Sequence, residues 1–167
     1  PAVQFCAGVL HHLPAITAIT APSPVSYLRL TPNRWAPTEI DIRKQDRGAA
    51  LRVCPVFDVK GKKKIAEAYN IEFRVSDGSA NPYMALGALI FDGANGIARK
   101  LALPKSGGEA PPLPRSLGQA LDGMEKKQFS SVELTDAFID AIDKANPHLN
   151  AFVVTTPEHE ERCRAMG

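Results

Sequence analysis

Three short blocks constrain this chain more than anything else in it: SYLRLTPNRWAP at residues 26–37, DRGAALR at 46–52 and IEFRVSDGSANPY at 71–83. Each sets arginines among small residues or prolines, and the third places a lone acidic residue, Glu72, between apolar neighbours. A planar guanidinium fork pairs two oxygens of a phosphate or carboxylate at once, and small neighbours let an anion approach the backbone. The third block also dictates local structure. Over 71–75, Ile71, Phe73 and Val75 alternate with Glu72 and Arg74, the period of a strand that shows Glu72 and Arg74 on one face. Asp77 and Asn81 follow as capping residues, and Pro82 suits the first turn of a helix.

That helix is expected over 82–101, with Met84, Ala88, Phe91 and Ile97 on its apolar side. Gly87, Gly93 and Gly96 weaken its later half or permit close packing. A second apolar stripe (Phe5, Val9, Leu10, Leu13, Ile16, Ile19) predicts a helix over 3–19, which Pro14 should kink or break. Residues 21–37, rich in proline, read as a stop followed by an irregular loop, and 50–56 as a short buried strand. The fold class is therefore α+β: an antiparallel sheet from 50–75 with the 3–19 and 82–101 helices packed on it. Residues 105–114 have the composition of a linker, and 116–124 that of a short helix. Gly107 and Gly108 lack the lysine pairing and preceding strand of a phosphate loop. Ser130 and Glu133 then form a capping-box pattern opening a helix with Leu134, Phe138, Ala141 and Ile142 on one face. Asn146 and Pro147 end it.

Bulk properties exclude more than they assign. A net charge of +2 on 167 residues, with 23% charged and 44% hydrophobic residues, argues against nucleic acid or an anionic membrane as partner. The lysines at 60–64 read as a solvated loop. No apolar run is read as reaching the ~20 residues of a membrane helix, and no charged leader opens the chain. Cys6, Cys54 and Cys163 are odd in number without CxxC spacing, which fits a reducing cytoplasm and no structural zinc. His11 and His12 fall in the first helix and read as polar-face or packed residues. Pro1 in place of Met suggests a segment of something longer or a processed product.

The three blocks together resemble the C-terminal catalytic part of glutamine synthetase, over about residues 3–121. The resemblance implies an ATP-dependent ligase that joins glutamate to ammonia or another amine through an acyl phosphate, with Mg²⁺ or Mn²⁺. It implies that Arg29 grips the substrate glutamate, and that Arg47 and Arg52 handle the nucleotide phosphates and the transferred phosphoryl group. By the same resemblance Glu72 is a metal-binding carboxylate, and Arg74 is a substrate-side arginine two residues later. The family's other acidic ligands and its histidine lie upstream of anything present here. Intact relatives form homo-oligomeric rings with shared sites, which implies little or no activity for this chain alone.

One position departs from the family. Trp35 stands where typical members carry a flap glutamate that draws a proton from ammonium, and indole cannot act as a base. Either another residue, Glu39 for instance, takes that role, or the acceptor amine differs. Trp35 itself could stack on a cation or pack against the proline-rich loop.

Residues 127–167 resemble a different family, the N-terminal segment of amidase-signature enzymes such as the A-subunit of glutamyl-tRNA amidotransferase. This divides the chain into 1–126 and a helical tail. Ser130 and Ser131 open a helix there and have no partner lysine, so they are capping residues and not a nucleophile. The plain alternative is a divergent synthetase C-terminus. Three functional readings follow: a partial glutamate–amine ligase, a non-catalytic remnant or fusion fragment, and, last, a piece of an amidotransferase.

Overall fold

A computed structural model of the protein describes residues 1–56, 69–104 and 109–124. The lysines at 60–64, Gly107, Gly108 and the segment 127–167, with its Ser130 capping box, lie outside these residues.

Helix α1, Ala2–Thr20, is the axis of the molecule. It runs unbroken through Pro14, against expectation. Proline removes one intrahelical donor, but Leu10, Leu13 and Ile16 on either side are almost completely buried. Tertiary packing outweighs the local penalty. Thr17 and Thr20 are buried too, and return their hydroxyls to the carbonyls of Leu13 (2.6 Å) and Ile16 (3.0 Å). The apolar run is also longer than the sequence reading allowed: α1 is long and apolar enough to cross a membrane, with mean hydropathy 1.4. Its position explains that apolarity, because 67% of the most apolar window is buried inside the protein.

One helical turn, α2 (Ser26–Arg29), interrupts what reads as an irregular loop. Three strands follow: β1 (Glu39–Lys44), β2 (Ala49–Val53) and β3 (Ile71–Phe73). They form one sheet in the order β1-β2-β3. The sheet is mixed and not antiparallel as expected: β2 pairs antiparallel with β3, but β1 pairs parallel with β2. The missed β1 accounts for the difference. Only 45–48, a bend and a turn, joins it to β2. Gln45 takes a left-handed φ of 60° at its start. The far edge of β1 is covered by part of the expected linker. Ile40 N–H donates to Pro111 O, and Leu113 N–H donates to Thr38 O.

Helix α3, Pro82–Ala98, begins as its sequence dictates, with the Asn81 side chain accepting from the amides of Tyr83 and Met84. Its packed face differs from expectation. Ala85, Ala88, Asp92, Gly93 and Gly96 are buried, whereas Met84 and Ile97 are largely exposed. α3 packs against α1, and at their contact Gly8 and Gly96 meet backbone to backbone. A Cβ on Gly8 would overlap Asp92 O, and one on Gly96 would overlap Gln4 O. A short helix α4, Leu117–Gly123, capped by the Ser116 hydroxyl, closes against the other side of α1.

Candidate functional site

The second and third blocks meet across the sheet. Arg52 on β2 stands directly opposite Glu72 on β3, a placement in which opposite charges interact. Arg52 Nε donates to Glu72 Oε2 at 2.6 Å, and Arg74 Nη1 donates to Glu72 Oε1 at 2.8 Å. Partial burial pushes the Glu72 carboxyl upward, but the two guanidiniums outweigh it and hold the group below the usual range. The period-two reading of Glu72 and Arg74 as neighbours on one face is thus realised as a direct contact.

Arg74 ties this pair to two loops. Its Nη2 donates to Trp35 O at 2.8 Å and its Nε to Arg47 O at 3.4 Å. Arg29, from α2, donates in turn to the carbonyls of Arg74 and Ser76 (3.3 Å each) and to that of Val75. Its buried Nε has no partner among the described residues. Both arginines therefore hold backbone in place, and neither lines the main polar cleft.

That cleft, about 890 Å³, is walled by Trp35, Gln45, Asp46, Arg47 and Arg52 together with neighbouring loop residues. Trp35 is 77% exposed, so it does not pack into the proline-rich loop. The Arg47 guanidinium lies over the indole, 5.2 Å from its centroid. Asp46 is a cleft residue to which the sequence reading gave no role. Its carboxyl is held below the usual range by the Gly48 amide, which donates at 2.8 Å, and then by Arg43. The Asp-x-Gly spacing, an Asx-turn pattern, is the signal that could have marked it. Glu39, the suggested substitute base, is ion-paired to Arg43 on β1, as is Asp41.

Of the five residues expected to act, the structure brings Arg47 and Arg52 into one cleft and places Glu72 and Arg74 directly behind them. Arg29 stands one layer further, against 74–76. His12 is buried, with Nε2 3.2 Å from Asn95 Oδ1, as a packed histidine should be. Among the described residues no three His, Cys, Asp or Glu side chains cluster to hold a metal. Among the described residues Asp46 is the acidic group in the cleft wall, held by the Gly48 amide and Arg43, and Glu72 behind it sits between two positive charges. The residues described here do not by themselves fit a divalent cation.

The model of the glutamine synthetase catalytic domain matches residues 1–161. Gamma-glutamylpolyamine synthetase of Streptomyces coelicolor is 46% identical over 105 residues, 62% of this chain and 22% of its own length. Glutamine synthetase of Pyrococcus furiosus is 35% identical over 158 residues, covering 85% of this chain and 34% of its own length. A crystal structure of a novel glutamine synthase homolog aligns over 98% of the chain and 37% of its own, at 36% identity and a TM-score of 0.67. The chain spans about a third or less of the length of these curated relatives. The arginine blocks, the cleft they build and the extent of the match make the chain a member of the glutamine synthetase family, within its catalytic domain.

Proposed function

We propose that this chain is the arginine-bearing part of an ATP-dependent ligase that joins glutamate to an amine. The observation that carries the reading is the convergence of Arg47 and Arg52 on one polar cleft, backed by the Glu72–Arg74 pair that braces Arg52. In such a reaction a glutamate carboxylate oxygen attacks the terminal phosphorus of ATP, and ADP leaves. The neutral amine nitrogen then attacks the acyl phosphate carbon and gives up a proton to solvent, and inorganic phosphate leaves with the bonding electrons of the C–O bond as the amide forms. Arg47 and Arg52 are assigned to the phosphoryl oxygens, whose negative charge a fixed guanidinium stabilises. Arg29 and Arg74 are assigned to the glutamate end, where their forks would exchange backbone carbonyls for a carboxylate. The family resemblance also gives Glu72 a divalent metal. That role requires further acidic ligands from elsewhere in the enzyme and release of Glu72 from its two arginines.

Trp35 bears on the acceptor. Without a carboxylate at that position, and with Glu39 engaged by Arg43, the cleft has no base aimed at ammonium from this loop. An acceptor other than ammonia fits better, and the similarity to a polyamine-using relative supports that direction. A non-catalytic remnant is the second reading, favoured by the engagement of Glu72 by two arginines. We place the protein in a reducing cytoplasm, which the two unpaired cysteines Cys6 and Cys54 support. Residues 127–167 lie outside the described residues, and two origins are proposed for them. Their likeness to amidase-signature enzymes supports a join, and the synthetase match through residue 161 supports a divergent synthetase C-terminus.

The test is kinetic and uses an intact ligase that contains this segment. ADP release and γ-glutamyl amide are measured with ammonium and with diamines. Arg47→Ala should lower turnover by at least about 100-fold and leave the melting temperature nearly unchanged. Undiminished turnover would overturn the phosphate assignment.

A further inference from the structure

We infer that Trp35 is a positioning residue: its indole holds the Arg47 guanidinium over the cleft and thereby fixes where that cation meets a phosphoryl group. The inference rests on the reading of the cleft as an anion site.

The first observation is conformational. Trp35 has φ 55°, in the left-handed region, and the nearby Asn33 has φ 65°. Asparagine tolerates that region, whereas a bulky aromatic residue there is a strained exception costing on the order of 1–3 kcal/mol. The ring recovers none of that cost by burial, because it is 77% exposed. The strained backbone is held from outside, since Arg74 Nη2 donates to Trp35 O at 2.8 Å. The same guanidinium reaches Arg47 O at 3.4 Å through Nε. One arginine thus clamps the backbones of both residues in the stack, and it is anchored itself by Glu72.

The second observation concerns which donors remain available. Arg52 and Arg74 turn N–H groups to Glu72, and Arg29 turns its own to carbonyls. Arg47 has no carboxylate partner among the described residues. Its contact is with the face of the indole, 5.2 Å from Cζ to the centroid, within the ~6 Å of an effective cation–π contact. A cation–π contact places the guanidinium over the ring without engaging a carboxylate, so its N–H groups stay available to an oxyanion. An ion pair would have consumed them. An exposed aromatic ring therefore orients this arginine without blocking it.

The experiment uses the full chain and sodium pyrophosphate as the probe. Trp35→Asn removes the ring while suiting the left-handed backbone, and Trp35→Tyr restores an aromatic face. Without ligand, the Arg47 Nε–Hε resonance should carry a ring-current shift in the parent and in Trp35→Tyr, and lose it in Trp35→Asn. Pyrophosphate affinity should fall about tenfold in Trp35→Asn and return to within about twofold of the parent in Trp35→Tyr. All three proteins should melt within a few degrees of one another. Equal affinity in the parent and Trp35→Asn, or an Arg47 resonance indifferent to the ring, overturns the positioning role while leaving the anion cleft standing. Failure of the parent to bind pyrophosphate overturns both.

Discussion

Asp92 lies on the buried face of α3 with no exposed surface, and neither of its oxygens has a partner among the described residues. Burial pushes its carboxyl from the usual 3.8 up to about 8. Between those two values the unfolded chain has already released the proton while the folded chain retains it. The contribution of Asp92 to stability is therefore most favourable below pH ~4, declines as pH rises towards 8 and levels off above that. Asp92→Ala removes the penalty, so its melting temperature should exceed the parent's by a margin that widens between pH 5 and pH 8, by about 4 °C or more. A margin independent of pH would show that the carboxyl is ionised or solvated in the folded state. Glu72 is treated in the opposite way: two arginines keep it charged, and it gains its place from them. The contrast was half legible in the sequence. The alternation around Glu72 predicts its neighbour Arg74, because period-two spacing is local. The burial of Asp92 depends on which face of α3 meets α1, and no local pattern states that.

Helix α3 shows at the next scale why its inner face was misread. Large apolar residues are the usual signature of a packed face, yet here Met84, Leu86, Ile90 and Ile97 are exposed while alanines and glycines form the buried face. The reason lies in α1, where Gly8 lets the two backbones close on each other at Gly96. Gly96→Val would drive side-chain atoms into Gln4 O and the Gly8 backbone, neither of which is a flexible chain end. A loss of at least about 3 kcal/mol is expected in urea unfolding. Gly78, with nothing within 4 Å of an added Cβ, supplies the control: Gly78→Ala should be nearly neutral. Equal effects at the two sites would contradict the close approach. Strand β1 carries a lesson of the other kind. Ile40 and Ile42 alternate with charged residues, a signal that was present but masked by four charges in six positions. Its parallel pairing with β2 was not readable, because register is settled by contacts between segments.

Over the whole molecule, the arginine blocks were the legible part because each is a contiguous string whose chemistry survives without knowledge of its neighbours. Their assembly was not legible. Nothing in 26–37 states that Arg74 would hold Trp35, or that Arg29 would face the backbone of 74–76. The resulting cleft presents Arg47 and Arg52 beside an Asp46 held by Gly48 and Arg43, and is braced by Glu72 paired with two arginines. That arrangement suits an anion and disfavours a divalent metal unless more acidic ligands join. Calorimetric titration of the full chain with Mg-ATP, beside Arg47→Ala, tests this account most directly. Saturable one-site binding by the parent, weakened at least about tenfold in the variant, is the predicted result. A cooperative melt with no heat of binding in either protein would contradict it, leaving a folded domain whose arginines serve only each other.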